Sequence, residues 1–400
     1  MIDMHTQNTP VHVRLWHKGF WALACANLLL SMSMFVFLPV TPYWLAERFG
    51  FDALHVAMLF ALHGIGIYLL GPLCSMLVER YRRNKVCAFS ITLSALASLS
   101  IFYFCKVHPE FLSLFDTSTI FIIMSVIQTI GSALYGLSEM SLSGILIIDV
   151  CESFRRTEAN HSAAWFGRFG LALGPIIGIM VYKLLGGETV FLASSIFSII
   201  AVMLVLLTDF PFRAPDENIR TFSTDRFFLT NGKWLFVNFL LIMIAVGCVI
   251  VHYHNIAFYL LMLGGFFVAL LSQKFVFANA ELKSEILSAL VLIIAALLIM
   301  IFRGMEVALF SAAFLIGIGV GVSGARFLLF FIKLSRHCQR GTSQSSFFLT
   351  WQSGIALGAA LGIALGEDTV GYVVALGLAV TALIMYHVFT HTWYMKNKSR

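Results

Sequence analysis

"GRFGLALGPIIG", Gly167 to Gly178, packs four glycines, a proline and an arginine into twelve residues. In water this would be a poor helix, because Gly and Pro are the weakest helix formers. Yet the apolar stretches "HSAAWF" and "IMVYKLL" flank it on either side. A membrane span accommodates the mixture. Neighbouring helices satisfy the carbonyl that Pro175 leaves free, and small residues on one face let two backbones approach closely. At 100° per residue, Gly167, Gly170, Gly174 and Gly178 fall within roughly 80° of one helix face. Two readings follow for that face, a static packing surface or a bendable seam that rocks. "IGIGVGVSG" carries a similar row at Gly317, Gly319, Gly321 and Gly324.

Composition places this stretch in a membrane protein. The 400 residues are 60% hydrophobic and 12% charged, with 38 Phe and 16 Met, and the mean hydropathy is +0.90. A soluble domain carries about a quarter charged residues. Runs of about 20 apolar residues suit helices and not the short alternating strands of a barrel. The polar opening "MIDMHTQNTPVHVRLWHKGFW" reads as no cleavable signal, so the first apolar run is expected to be a retained span. The seven cysteines are scattered without a CxxC, which points to buried free thiols and to neither a metal site nor a disulfide framework. No cofactor is expected.

Apolar runs predict twelve helices near 19–45, 54–78, 86–105, 118–148, 160–185, 189–208, 234–251, 254–277, 284–302, 306–333, 343–365 and 369–391. Twenty Lys and Arg fall on one side of this ladder. Four (Arg48, Lys106, Lys183, Arg303) fall on the other, and two (Arg168, Arg326) lie within spans. By the positive-inside rule both termini are cytoplasmic. The net charge of +6 then reflects topology and calls for no nucleic-acid partner. The expected setting is a plasma membrane, in a bacterium the inner membrane, with lipid as the surroundings and a monomer as the unit. The longest polar joint, 209–233, separates two six-helix units, 1–208 and 234–400. Its "DRFFL" suits either the membrane interface or solvent.

The halves repeat. At an offset of 184 residues, "RTEANHSAAWFGRFGLALGPIIGI" (156–179) lies on "RGTSQSSFFLTWQSGIALGAALGI" (340–363), with identities that include Gly170/Gly354, Gly174/Gly358 and Gly178/Gly362. Two like-oriented six-helix repeats are a transporter signature, with the substrate site between them near mid-membrane. The expected fold is an all-α membrane protein of twelve transmembrane helices in two pseudo-symmetric six-helix bundles.

Two motifs make the chain resemble the major facilitator superfamily over essentially its whole length. The family's loop between helices 2 and 3 reads G-x-x-x-D-R-x-G-R-[RK], and here "SMLVERYRRN" (75–84) puts Glu79 for Asp and matches Arg80 and Arg83. Ser75, Arg82 and Asn84 depart from it. The family's helix 5 antiporter motif is G-x8-G-x3-G-P-x2-G-G. Gly170, Gly174, Pro175 and Gly178 match, while His161 and Ile179 replace the outer glycines. The arginine often found on helix 4 is missing, with Gln128 nearby. The resemblance implies alternating access, leans toward export, and implies that helices 1, 4, 7 and 10 line the cavity. It also implies a cytoplasmic latch holding the outward-open state. In that latch Glu79 lies near Ser343–Ser345 at the start of helix 11, and Arg80 or Arg83 reaches Asp149.

Three ionisable residues sit deep in spans: Glu139, Arg168 and Arg326. Glu139 lies ten residues before Asp149 and Arg168 ten residues after Glu158, so both are roughly 15 Å from the inner surface. Arg326, seven residues before Lys333, is roughly 10 Å in. Intramembrane charges are costly and functional by default. The alternatives are a structural Glu139–Arg168 ion pair or a site that handles substrate or protons, with Arg326 facing the cavity from the other half. One acid against two arginines favours an anionic or zwitterionic substrate. Asn27, Ser31, Ser33, Asn238, Trp351 and Gln352 are further candidates for substrate contact. His63 reads as a packing residue, and His252 and His254 as water-facing.

The expected function is a secondary transporter, first a proton-coupled exporter of a small organic or amphipathic molecule. Uptake and lipid flipping share the fold. No phosphate loop, H-E-x-x-H or G-x-S-x-G is present, which disfavours an ATP-driven pump or an intramembrane enzyme. A transporter-like receptor is the remaining alternative.

Overall fold

The computed structural model describes residues 14–211, 219–276, 281–302, 306–366 and 368–398. Arg303 and linker positions 212–218 lie outside the described residues. The first span divides into α1 (Lys18–Phe35) and α2 (Thr41–Phe49), where the sequence suggested one helix over 19–45. Pro42 has no N–H and its ring crowds the carbonyl four residues back, so α1 cannot run through it. Gly50, at φ 68°, ends α2 in the left-handed conformation that glycine adopts without strain. The second span is bent by 44° between α3 (Ala53–Gly66) and α4 (Gly71–Arg80), with Pro72 at the start of the lower piece. Counting that pair as one, the described residues contain twelve spans.

The remaining spans follow the predicted runs closely. They are α5 (Arg83–Val107), α6 (Thr117–Asp149), α7 (Arg156–Leu185), α8 (Glu188–Leu206), α9 (Thr230–Ile250), α10 (Ile256–Phe275), α11 (Leu282–Ile301), α12 (Glu306–Leu334), α13 (Arg340–Leu365) and α14 (Thr369–Asn397). A π-turn widens α6 at Leu142–Leu146, one turn past Glu139. Such insertions are frequent at functional sites.

Helix pairing repeats between the halves. α1 packs on α7 and α8, α3 on α6, and α5 on α6 and α8. Six spans later, α9 packs on α13 and α14, α10 on α12, and α11 on α12 and α14. This is the internal repeat expressed as packing. The two six-helix bundles then meet along two seams, α3 with α13 and α7 with α10.

The glycine face of α7 belongs inside the first bundle and not to the seam between bundles. A Cβ on Gly170 would stand 2.6 Å from Ser31 Oγ, one on Gly174 2.9 Å from Phe35 Cβ, and one on Gly178 would strike the Val36 carbonyl oxygen. All three neighbours are on or just past α1. The repeat-related Gly354, Gly358 and Gly362 pack on Met243, Ile244 and Cys248 of α9 in the same way. α7 runs unbroken through Pro175. In this structure the glycines form a close packing surface between α7 and α1.

Candidate functional site

Between the bundles lies a cavity of about 370 Å³. Asn27 and Ser31 reach it from α1, Glu139 and Ser143 from α6, and Gly167 and Arg168 from α7. α13 contributes Gln344, Phe347, Trp351 and Gln352. Six of the nine sequence candidates for substrate or proton handling (Asn27, Ser31, Glu139, Arg168, Trp351 and Gln352) thus share one chamber. The repeat offset places Gln352 opposite Arg168, and the two line the same space from different bundles.

Glu139 is 3% and Arg168 1% exposed. No ion pair joins them, contrary to the structural-pair reading. Their depths match, but the chamber stands between them. Arg168 is held instead by aromatic faces, with its guanidinium carbon 4.6 Å from the Trp165 ring centre and 5.6 Å from that of Phe347. Its Nε and both Nη atoms are buried without a hydrogen-bond partner. Gln344 Oε1, on the α13 side of the chamber, is also buried and unpartnered among the described residues. Cation–π contact places the charge but leaves every N–H donor open. Gly324 of α12 makes the room, since a Cβ there would lie 3.1 Å from Trp351 and 3.2 Å from Arg168 Nε.

Asn27 donates from Nδ2 to the Ala163 carbonyl at 2.9 Å, and Ser31 to the Gly167 carbonyl at 2.7 Å. Both fasten α1 to α7 while lining the chamber. Gln352 Nε2 donates to Tyr135 Oη at 2.8 Å, a bond that crosses from one bundle to the other. Asn238 donates to the Ala382 carbonyl inside the second bundle and lies away from the chamber.

Arg326 does not face this chamber. Its Nε and Nη2 grip the two carboxylate oxygens of Glu285 on α11. The sequence reading did not single out Glu285. In the fold it lies one turn in and fully buried, where α11 packs on α12. A bidentate pair of this kind neutralises both charges within the second bundle. His254 also departs from expectation. It packs edge-on against Tyr43 with ring centres 3.9 Å apart, so it joins the bundles at the end away from the latch.

At that latch, Arg83 donates to Asp149 at 2.6 Å and to Glu79 at 2.8 Å, while Arg80 is exposed. Glu79 reaches α13 through the linker. Arg226 donates to Glu79 at 3.2 Å, and its backbone N–H donates to Thr342 Oγ1 at 3.0 Å. Thr342 in turn donates to Asp225 at 3.0 Å, and Leu229 N–H to Ser346 Oγ at 2.7 Å. Phe227 covers Gly71 of α4. "DRFFL" is therefore a strap between the bundles, neither a loop in solvent nor a segment resting on lipid. Arg226 holds φ 58°, a left-handed conformation that costs energy for any residue with a Cβ and that the surrounding bonds over-determine.

The match to the Major Facilitator Superfamily family model spans residues 23–359. The chain belongs to the major facilitator superfamily. Comparison with curated protein sequences finds no match. Among solved structures the chain is similar to the nucleoside transporter NupG, at 13% identity and TM-score 0.64 over 92% of this chain and 99% of that one. It is also similar to a bacterial homologue of the iron transporter ferroportin in its outward-facing state, at 16% and 0.67 over 93% and 99%. The inward-facing state of a bacterial homologue of the same transporter gives 15% and 0.66 over 94% and 98%. At these identities the likeness is one of fold, and the fold is that of the superfamily's transporters.

Proposed function

We propose that the protein is a secondary transporter working by alternating access, and that its cargo is a small organic anion or zwitterion seated between Arg168 and Glu139. One observation carries this reading: a fully buried guanidinium with no anionic partner and no hydrogen bond among the described residues. Arg stays charged in proteins, and an uncompensated charge at this depth costs about 2.5–3.5 kcal/mol on insertion scales. A carboxylate or phosphate on the cargo would take the open N–H groups, two at a time, and offset that cost. Glu139 on the facing wall then suits the ammonium of a zwitterion, or a proton when the cargo is a simple anion.

Export, proton coupling through Glu139, a monomeric unit, cytoplasmic termini and the division at 209–233 complete the proposal. The glycine motif on α7 supports export by resemblance, and the split of basic residues supports the orientation. The test begins with a thermal-shift screen of purified protein against small carboxylates, phosphates, amino acids and neutral controls. A binder present at 100 times its Kd adds about 2.7 kcal/mol. The expected hit is anionic or zwitterionic, stabilises the wild type and loses its effect in Arg168→Ala. Flux of that hit in proteoliposomes under imposed pH gradients then reads transport and coupling. Stabilisation only by neutral or cationic compounds, or hits indifferent to Arg168→Ala, would overturn the reading.

A further inference from the structure

His63 of α3 is 3% exposed, and its Nε2 has no hydrogen-bond partner. It borders three cavities. One of about 450 Å³ lies inside the first bundle, where Ser94 and Ser98 of α5, Ser132 of α6, and Ser194 and Ser198 of α8 form a hydroxyl-rich wall with Gln128. A second, about 490 Å³, runs from His63 to Thr41 and Leu45 of α2, at the end of the bundle away from the latch. The third, about 280 Å³, reaches Gln352 and Ile355 of α13 in the other bundle. The buried imidazole thus stands where an intrabundle cavity, an approach from one membrane face and the interbundle seam meet.

The wall is polar in a way that packing does not require. Ser94 donates to the Gly131 carbonyl at 3.2 Å, Ser194 to the Ser33 carbonyl at 2.7 Å, and Ser132 to the Gln128 carbonyl. Each hydroxyl spends its proton on the backbone and keeps oxygen lone pairs for another donor. The space admits a few water molecules, and a buried space lined by such groups holds water, whereas an apolar one stays dry. Around His63, α1 presents Met34 and Phe37 and α8 presents Phe191. None of the three cavities is lined by a carboxylate, Lys or Arg. Tyr135 of α6 is the ionisable neighbour, its ring centre 6.1 Å from that of His63, and Glu139 lies one turn beyond it.

We propose that His63 is a proton-binding site in a hydrated cavity of the first bundle, distinct from the Glu139–Arg168 chamber and tied to it through Tyr135 and Gln352. Hydronium gives its proton to Nε2 and leaves as water, and the imidazolium returns the same proton to water on release. The tie is the Gln352–Tyr135 bond at 2.8 Å. It crosses the bundles, so separating them there removes the donor from the tyrosine that faces His63.

The test needs no cargo, so its result is independent of the reading of the Glu139–Arg168 chamber. Full-length protein in nanodiscs is treated with diethyl pyrocarbonate, which acylates neutral imidazole, and modified peptides are quantified by mass spectrometry. The exposed His55 and His108 serve as internal references. With water in the cavity and a proton taken up there, the His63 rate should rise from pH 5.5 to 7.5 after correction for reagent hydrolysis, because only the neutral imidazole reacts. Ser98→Phe, which fills the cavity from α5, should lower the His63 rate at least tenfold and leave His55 unchanged. His63 that stays unmodified while His55 and His108 react would overturn the proposal, because the cavity is then closed to water. A rate that is flat with pH would also overturn it, because the imidazole then never takes the proton. Where Ser98→Phe does not fold, the wild-type profile decides.

Discussion

Arg168 and Arg326 are both arginines deep in spans, and the fold gives them opposite circumstances. Arg326 is neutralised by Glu285, whereas Arg168 has only the faces of Trp165 and Phe347. The two should therefore respond oppositely to replacement. Arg168→Met removes an uncompensated charge, loses cation–π contacts worth about 0.5–2 kcal/mol, and escapes an insertion cost of about 2.5–3.5 kcal/mol. It is expected to raise thermal stability by about 1–2 kcal/mol and to abolish cargo binding. A Tm below wild type in purified protein would make Arg168 structural. For the pair, Glu285→Ala leaves Arg326 half-buried without its partner and should cost up to about 3 kcal/mol, the lower end of the range for a buried pair, while Glu285→Met with Arg326→Met should recover most of that loss. Thermal unfolding of the single and double variants closes the cycle, and a double variant as unstable as the single one would refute it.

At the scale of elements, the strap from Asp225 to Leu229 joins α4 to α13 through side chains and backbone together. A hydrogen bond contributes about 0.5–1.5 kcal/mol net, and one to a charged group about 1.5–3. Arg226→Ala removes the bond to Glu79, and Thr342→Val removes the acceptor for the Arg226 N–H and the donor to Asp225. Each change should shift the balance by roughly 1–3 kcal/mol toward the state open at the latch, a five- to hundredfold change in population. Glu79→Ala and Asp149→Ala should act in the same direction, because Arg83 ties both carboxylates to the start of α5. Distances between spin labels at the latch ends of α4 and α13 report the shift. Distributions unchanged in all four variants would remove the strap and its ion pairs from gating. The α1–α7 contact behaves differently. Gly178→Val would drive a side chain into the Val36 backbone, so the expected effect is lost folded yield and not an altered equilibrium.

For the whole molecule, the proposed orientation rests on the split of basic residues. Arg82→Cys and Thr224→Cys, each in a cysteine-free background, should react with an impermeant thiol reagent only from the cytoplasmic side. Tyr43→Cys should react only from outside. Arg82 and Tyr43 are exposed, so accessibility does not limit their labelling. Reaction of the Arg82 or Thr224 variant in intact cells would invert the topology. In that proposed orientation the Tyr43–His254 contact lies on the outer face and the strap on the inner one, and the chamber lies between two sets of cross-bundle contacts.

Element positions were legible because a membrane span is read from local composition. About 20 apolar residues without charge form a helix in lipid whatever their neighbours are, and a repeat at a fixed offset announces a second copy of the same bundle. The sequence also singled out Glu139, Arg168 and Gln352, because polar side chains inside apolar runs stand out one at a time. What a side chain faces is another matter, since it depends on helix rotation and on residues far away in the chain. Glu285 was hidden because it follows Lys283 at a helix start, where an acid reads as surface. His63 was hidden because one histidine in an apolar run has no pattern, and only the serines of α5, α6 and α8 around it make its setting polar. The glycine row of α7 predicted a close helix approach but not its partner. Only the tertiary structure decided that Arg168 is unpaired, that Arg326 is paired, and that the linker spans the bundles. Each outcome rests on contacts between residues tens to hundreds of positions apart, set by which helix faces meet.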